Sequence, residues 1–225
     1  MNQDGQTALL ELACQGDSRS LGKLLMSYRE RLHNIVRFRL DRRLQGRLEA
    51  ADVIQEAFVE ATARFPEFIS DRKMPFFLWL RFLALQKLAE THRSHLGVKA
   101  RDVAREISID GPVSPQATSA VLAAQLLGRH TSPSRAAIRN ELQQRLEQSL
   151  NQMNPIDREV LALRHFEQLT NAEAAQVLDT SESAASNRYV RALRRLRETL
   201  ESLQLTGSTV QRTARSPNAG KGVVG

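Results

Sequence analysis

The stretch Thr170–Arg191 reads TNAEAAQVLDTSESAASNRYVR, and its reading decides the fold. Thr170 with Glu173 three residues on is a capping box, which starts a short helix ending near Leu178. Ser181 is a second N-cap, ahead of a longer helix from about Glu182 to Leu203. Asp179-Thr180 leaves space only for a tight turn between them. Two helices joined in this way form a helix-turn-helix layout. Ala175 falls where the helices cross closely and only a small side chain fits, and Leu178 closes the first helix into the core. On the second helix Ala185, Tyr189, Ala192, Leu193, Leu196 and Leu200 share a face that must pack inward. The other faces carry Ser183, Ser186, Asn187, Arg188, Arg191, Arg194 and Arg195. Small polar residues at the start of a helix let it enter a major groove, where Asn and Arg read base edges. Arginines further along are placed to hold phosphates. A solvated basic face alone would give the charge, but not the turn, the small residue at the crossing and the two caps.

Working outward, every element reads as helical. Asn154-Pro155 pairs an N-cap with a proline at the first helical position, and Ser132-Pro133 gives the same signal upstream of Leu142, Leu146 and Leu150. Near the N-terminus Leu21, Leu24, Leu25, Tyr28, Leu32, Ile35 and Val36 form one apolar stripe, with Arg29, Arg31, Arg37 and Arg39 on the other faces. The next helix starts with Asp52 as N-cap and Gln55 three residues on. Phe65-Pro66 is expected to end it, before a polar loop over Glu67–Pro75. A further helix, about Phe76 to His95, is apolar nearly all round at its start and so reads as central and buried. Strand signals are almost absent. The expected fold is therefore all-α, with two small helical domains, 1–97 and 139–205. A flexible linker, 98–138, joins them, with a short helix over Ala117–Leu127, and 206–225 forms a disordered tail poor in large apolar residues.

Composition narrows the function. The chain has 225 residues, one Cys and a formal net charge of +7. One Cys excludes a disulfide scaffold or a thiolate metal site and fits a reducing compartment. Cys14 itself reads as an apolar filler on a short helix. The basic excess points to a polyanionic partner. The most apolar run, Met74–Leu85, is too short to span a bilayer and is interrupted by Arg81, and the N-terminus lacks a basic signal region. A cytoplasmic chain with no membrane partner is expected. There is no phosphate loop, nucleophile elbow or Cys/His pair, so no catalytic residue, cofactor or metal is expected and the chain does not read as an enzyme. His92 and His95 stand near one helical turn apart without an evident third ligand, and Glu159 and Glu167 read as solvent-facing carboxylates.

Two motifs carry a resemblance. The first joins Leu146 and Leu150 with Asn154–Thr170 (NPIDREVLALRHFEQLT), Glu173–Leu178, Ser181-Glu182, Asn187-Arg188, Arg191-Ala192 and Arg195-Leu196. It resembles region four of bacterial RNA polymerase sigma factors, above all the small extracytoplasmic-function (ECF) group. The resemblance implies that the second helix binds the −35 promoter element through Ser183, Ser186, Asn187, Arg188, Arg191, Arg194 and Arg195. It also implies that the first half of that domain touches the flap of the polymerase β subunit. The second motif, Asp52-Val-Ile-Gln-Glu-Ala-Phe58, is similar to the region-two signature D-L-V-Q-E-V-F. It implies that Asp52, Gln55 and Glu56 dock on the β′ clamp helices, with Phe58 in the core.

Phe76-x-x-Trp79-Leu80, followed by basic residues, is similar to the promoter-melting segment. It implies Trp79, Lys87, His92 and Arg93 as −10 contacts, although Trp79 lies in the all-apolar part of its helix and reads first as core. The loop Phe68–Met74 corresponds to the one that captures an extruded base, where a basic groove and apolar surfaces suit splayed single strands. The resemblance spans about 10–97 and 139–203. One departure is Asp179, which stands where the family's turn has Gly. The implied partners are core RNA polymerase and promoter DNA, with an anti-sigma factor as a further class. The competing reading is a helix-turn-helix regulator binding duplex DNA on its own, for which the Asp52–Phe58 motif would be superfluous.

Overall fold

A computed structural model describes residues 3–40, 44, 48–96, 115–127 and 136–213; side chains at 3, 93, 95, 96, 115–118, 136–139 and 203–213 lie outside that description. All the elements described are helical: α1 (Gln3–Cys14), α2 (Ser18–Arg39), α3 (Ala50–Ser70), α4 (Phe76–Leu96), α5 (Pro115–Leu126), α6 (Ala136–Asn151), α7 (Pro155–Leu161), α8 (Asn171–Val177) and α9 (Glu182–Thr213). A five-residue π-helical turn, Ala162–Phe166, follows α7 directly.

The first four helices share one core. α2 presents Leu21, Leu24, Leu25, Leu32, Ile35 and Val36, all buried, along the stripe its sequence dictates. Its N-cap is Asp17, whose carboxylate accepts the Arg19 amide proton. α4 buries five consecutive residues, Phe76 to Leu80, which makes it the central helix against α2 and α3.

Two boundaries of α3 differ from the sequence reading. The N-cap is Glu49 rather than Asp52, whose amide donates to the Glu49 carbonyl at 3.1 Å. Asp52 thus sits in the first turn, where a negative charge favours the helix dipole. At the other end Pro66 does not stop the helix, which runs on to Ser70. Phe65 and Phe68 flank Pro66 and are both buried against Phe76, with Phe68 also 4.8 Å from the Trp79 ring. Burying two aromatic rings outweighs one missing backbone hydrogen bond.

The remaining helices build a second core around Leu122, Leu146, Leu150, Val160, Leu161, Ala192 and Leu196. α5 lies within the segment read as linker and contributes buried Leu122 and Ala123. The Ser132-Pro133 cap signal and the rest of the linker, 98–114 and 128–135, lie outside the described residues. Asn154 caps α7 as expected, accepting the Ile156 amide proton at 3.0 Å with Pro155 behind it. α9 continues to Thr213 instead of ending near Leu203, because adding a turn to a formed helix costs little. Of the expected disordered tail, 206–225, the part 206–213 is helical and 214–225 lies outside the described residues.

Candidate nucleic-acid interface

The helix-turn-helix forms as its caps require. The Thr170 hydroxyl accepts the Glu173 amide proton (3.2 Å) while the Glu173 carboxylate accepts that of Thr170 (2.7 Å). The Ser181 hydroxyl accepts the Ala184 amide proton at 3.2 Å. Asn171 donates to the Glu182 carbonyl at 2.8 Å, which ties the starts of α8 and α9 together. Ala174, Ala175, Ala185 and Ala192 are all buried where these helices meet their neighbours.

Asp179 holds the turn at φ 46°, a left-handed conformation that a side chain tolerates at a cost. Replacing Asp179 by Gly removes that cost, and chemical denaturation is expected to show a gain of about 0.5–1 kcal/mol.

The apolar face of α9 needs one correction. Leu193 is 37% exposed. The inward line runs Ala185, Tyr189, Ala192, Leu196, Leu200 in steps of three and four, and Leu193 lies about 100° off it. The outward residues are where the sequence puts them: Ser183, Ser186, Asn187, Arg194 and Arg195 are exposed, and Arg188 is half-buried.

Two of these arginines are not free. Asp157, in the first turn of α7, is 1% exposed. Its carboxylate accepts Arg191 through Nε (2.9 Å) and Nη2 (2.7 Å), and Arg188 through Nη1 at 3.3 Å. Burial pushes the Asp157 carboxyl up, but its bonds to Arg191 and Arg188 and their charges hold it below the usual range. Both guanidinium groups are therefore held on α9 by a buried anion that sequence reasoning missed.

A different surface forms on α3. Asp52, Gln55 and Glu56 are exposed together. With Val59, which is 68% exposed, Glu60 and Lys87 of α4, they line an open concavity of about 530 Å³. Lys87 pairs with Glu90 at 3.1 Å and Glu60 at 3.7 Å, so it belongs to this acidic rim. Two other −10 candidates are withdrawn from the surface to different degrees. Trp79 is buried among Phe68 and Phe76, and His92 is half-buried. The side chain of Arg93 lies outside the described residues. Within the predicted capture loop Phe68–Ser70 is helical, which leaves Asp71–Pro75 as the connection.

The largest departure concerns Glu159 and Glu167, which are 6% and 1% exposed rather than solvent-facing. For Glu167 the π turn is the cause, whereas Glu159 lies in α7. The Glu167 amide donates to the Ala162 carbonyl, five residues back, at 2.9 Å, and Gln168 follows with φ 56°. This geometry turns Glu167 inward, between Arg39 of α2 and Arg81 of α4 (2.8 Å). Arg39 also donates to Glu159 at 2.5 Å. Glu173, besides its capping role, accepts Arg31 at 2.6 Å.

Burial pushes Glu167 up, but the charges of Arg39 and Arg81 and the bonds they donate bring it below the ordinary 4.5. Glu173 is likewise raised by burial and brought lower by Arg31 and the Thr170 amide. Arg39, disfavoured by burial, is raised by Glu159 and Glu167. A depressed carboxylate contributes stability that is complete above its unfolded value and lost as pH falls through its native value. These two glutamates are thus expected to leave the urea midpoint unaffected above pH 4.5 and to lower it progressively below.

Comparison with known proteins agrees with this geometry. Residues 143–196, which hold the helix-turn-helix, match the family described as Sigma-70, region 4. The RNA polymerase sigma-H factor of Pseudomonas aeruginosa is 28% identical over 204 residues, covering 90% of this chain and 97% of that protein. The RNA polymerase sigma factor NccH of Alcaligenes xylosoxydans xylosoxydans is also 28% identical over 204 residues, covering 88% and 96%. Among solved structures, CnrH, determined in complex with the cytosolic domain of CnrY, matches with a TM-score of 0.49 and 24% identity, covering 88% of this chain and 99% of that one.

A helix-turn-helix with an exposed polar and arginine face, and a separate acidic face on α3, lie on a chain that aligns nearly end to end with RNA polymerase sigma factors. The chain is an RNA polymerase sigma factor, and its two motifs resemble those of the ECF group. It binds core RNA polymerase and directs promoter recognition and transcription initiation. Sigma factors are initiation factors rather than enzymes, and the lone duplex-binding regulator is not favoured. No helix among the described residues is long and apolar enough to cross a membrane.

Proposed function

We propose a division of labour within this sigma factor. The N-terminal half, 1–97, docks on the β′ clamp helices through Asp52, Gln55 and Glu56 and opens the −10 DNA with the α4 segment Lys87–Arg93. Trp79 supports that segment from the core. The C-terminal half, 139–205, enters the −35 major groove with Ser183, Ser186 and Asn187, and clamps phosphates with Arg188, Arg191, Arg194 and Arg195. Its first part touches the β flap. The whole acts in the cytoplasm, where the polymerase works. The observation that carries this reading is one chain with two exposed faces of opposite character, acidic on α3 and polar-to-arginine on α9.

Run-off transcription with core polymerase and a promoter library tests it. A specific start site is expected, and no core binding or no specific start refutes it. Asp52→Ala combined with Glu56→Ala is expected to lower core affinity about tenfold, or about 1.4 kcal/mol. Both side chains are exposed, so the melting temperature should hold. Unchanged core affinity would remove these residues from the docking surface.

A further inference from the structure

Val190 is 53% exposed and belongs to neither core among the described residues. Val is also a poorer helix former than Ala or Leu, so α9 gains nothing locally from it. Ser183, Asn187, Val190 and Arg194 follow one another in steps of four, three and four, and all four are exposed. Each stands two residues ahead of a member of the inward line Ala185, Tyr189, Ala192 and Leu196. At about 100° per residue the two lines therefore lie about 160° apart. Val190 thus occupies the outermost line of α9, between an amide and a guanidinium.

The setting favours DNA over protein as what this side chain meets. From Ser183 to Arg197 α9 carries no carboxylate, while Arg188, Arg191, Arg194, Arg195 and Arg197 fall within that span. Asp157 draws Arg188 and Arg191 toward α7, which leaves the outermost line open. Ser183, Ser186, Asn187 and Val190 stand at i, i+3, i+4 and i+7, the spacing at which a helix lying in the major groove presents side chains to bases. Val190 lies two turns beyond Ser183, about 10 Å along the axis, or about three base steps. The apolar group that a base edge shows in that groove is the C5-methyl of thymine.

We propose that Val190 is a base-reading residue, and that it meets the C5-methyl of a thymine in the −35 element. The inference rests on the −35 reading above and adds to it a contact made by shape rather than by hydrogen bonds. Burying one methyl against Val190 is worth about a fourfold preference for thymine over a base that lacks it.

Uracil tests the proposal, because deoxyuridine keeps every hydrogen bond of thymidine and lacks only the methyl. Holoenzyme carrying the full chain is bound to a promoter selected by run-off transcription. The thymines of its −35 element, on both strands, are replaced by uracil one at a time. Wild-type holoenzyme is expected to bind about fourfold more weakly with uracil at one position or at two adjacent ones. Val190→Ala should weaken binding to the thymine promoter by the same factor and abolish the thymine–uracil difference at that position. Val190→Thr, which keeps one methyl, should retain part of the preference. Core affinity and melting temperature should hold in both variants, since the side chain is exposed.

A −35 element without thymine, or one in which no uracil weakens wild-type binding, overturns the assignment. A uracil effect that survives unchanged in Val190→Ala overturns it as well. So does a loss of core affinity in Val190→Ala, which would turn this side chain toward the polymerase instead. Absence of a specific transcript from the wild-type chain overturns the sigma reading itself, and the assignment with it.

Discussion

Glu167→Ala is expected to destabilise the folded chain by about 3–5 kcal/mol, the cost of removing one partner from a buried ionic cluster. Glu167 accepts from two guanidinium groups, and its side chain is 0% exposed against 5% for Arg39 and 8% for Arg81. Truncation leaves Arg81 with no carboxylate among the ion pairs described and Arg39 with Glu159 alone. Neither arginine can shed its proton to escape the cost. At roughly 2–4 °C per kcal/mol for a chain of this size, thermal unfolding followed by circular dichroism should show a drop of roughly 6–20 °C. A drop under about 2 °C would mean that the arginines reach water when the carboxylate is gone. Replacing the whole cluster, Arg39→Met and Arg81→Met with Glu159→Leu and Glu167→Leu, should cost far less than Glu167→Ala alone. It leaves no charge stranded.

The contrast between these variants shows which parts of the molecule its sequence states openly. The helix-turn-helix was legible because its signals are local: a capping box within four residues, a cap at Ser181, an alternation of three and four along α9. Asp179, in the place where the resembling family has Gly, lies in the same stretch and takes the left-handed conformation. The carboxylate cluster was not legible, since its partners stand 86 to 128 residues apart and nothing local marks them. Glu159 and Glu167 flank a turn whose five-residue hydrogen-bond spacing no helical periodicity anticipates. One signal was present. Arg81 interrupts the most apolar run in the chain, Met74–Leu85, and a charge in such a setting needs a counter-charge from somewhere. Pro66 misled for the converse reason, since the burial that carries α3 past it lies in α4.

The charge excess also changes meaning. Arg31, Arg39 and Arg81, three of the basic residues that make the chain net positive, are engaged in internal ion pairs. Arg29 and Arg37 on the same helix stay exposed.

Asp157→Ala is expected to reduce discrimination between cognate −35 DNA and random duplex by about 10–100-fold, or about 1.4–2.8 kcal/mol. Two effects act in opposite senses, and the direction follows from separating them. Removing a carboxylate next to two arginines makes the recognition helix more positive, which strengthens the sequence-independent attraction to phosphates. Removing the bidentate fork frees the Arg191 guanidinium, which then loses rotamer entropy on binding. The fork takes two of five N–H donors, so in the native chain three remain, aimed from a side chain that is 49% exposed. Phosphate contacts fix the register in which Ser183, Ser186 and Asn187 meet base edges, so loosening Arg191 and Arg188 degrades the specific mode first. Holoenzyme binding to a promoter selected from the library should weaken, while binding to random duplex holds or rises. Tighter binding to both would show instead that Asp157 only shields charge. Arg191→Lys keeps the charge but cannot form the fork, and it should lose discrimination as Asp157→Ala does. Combined with Asp157→Ala it should add little, because both changes remove the same contact.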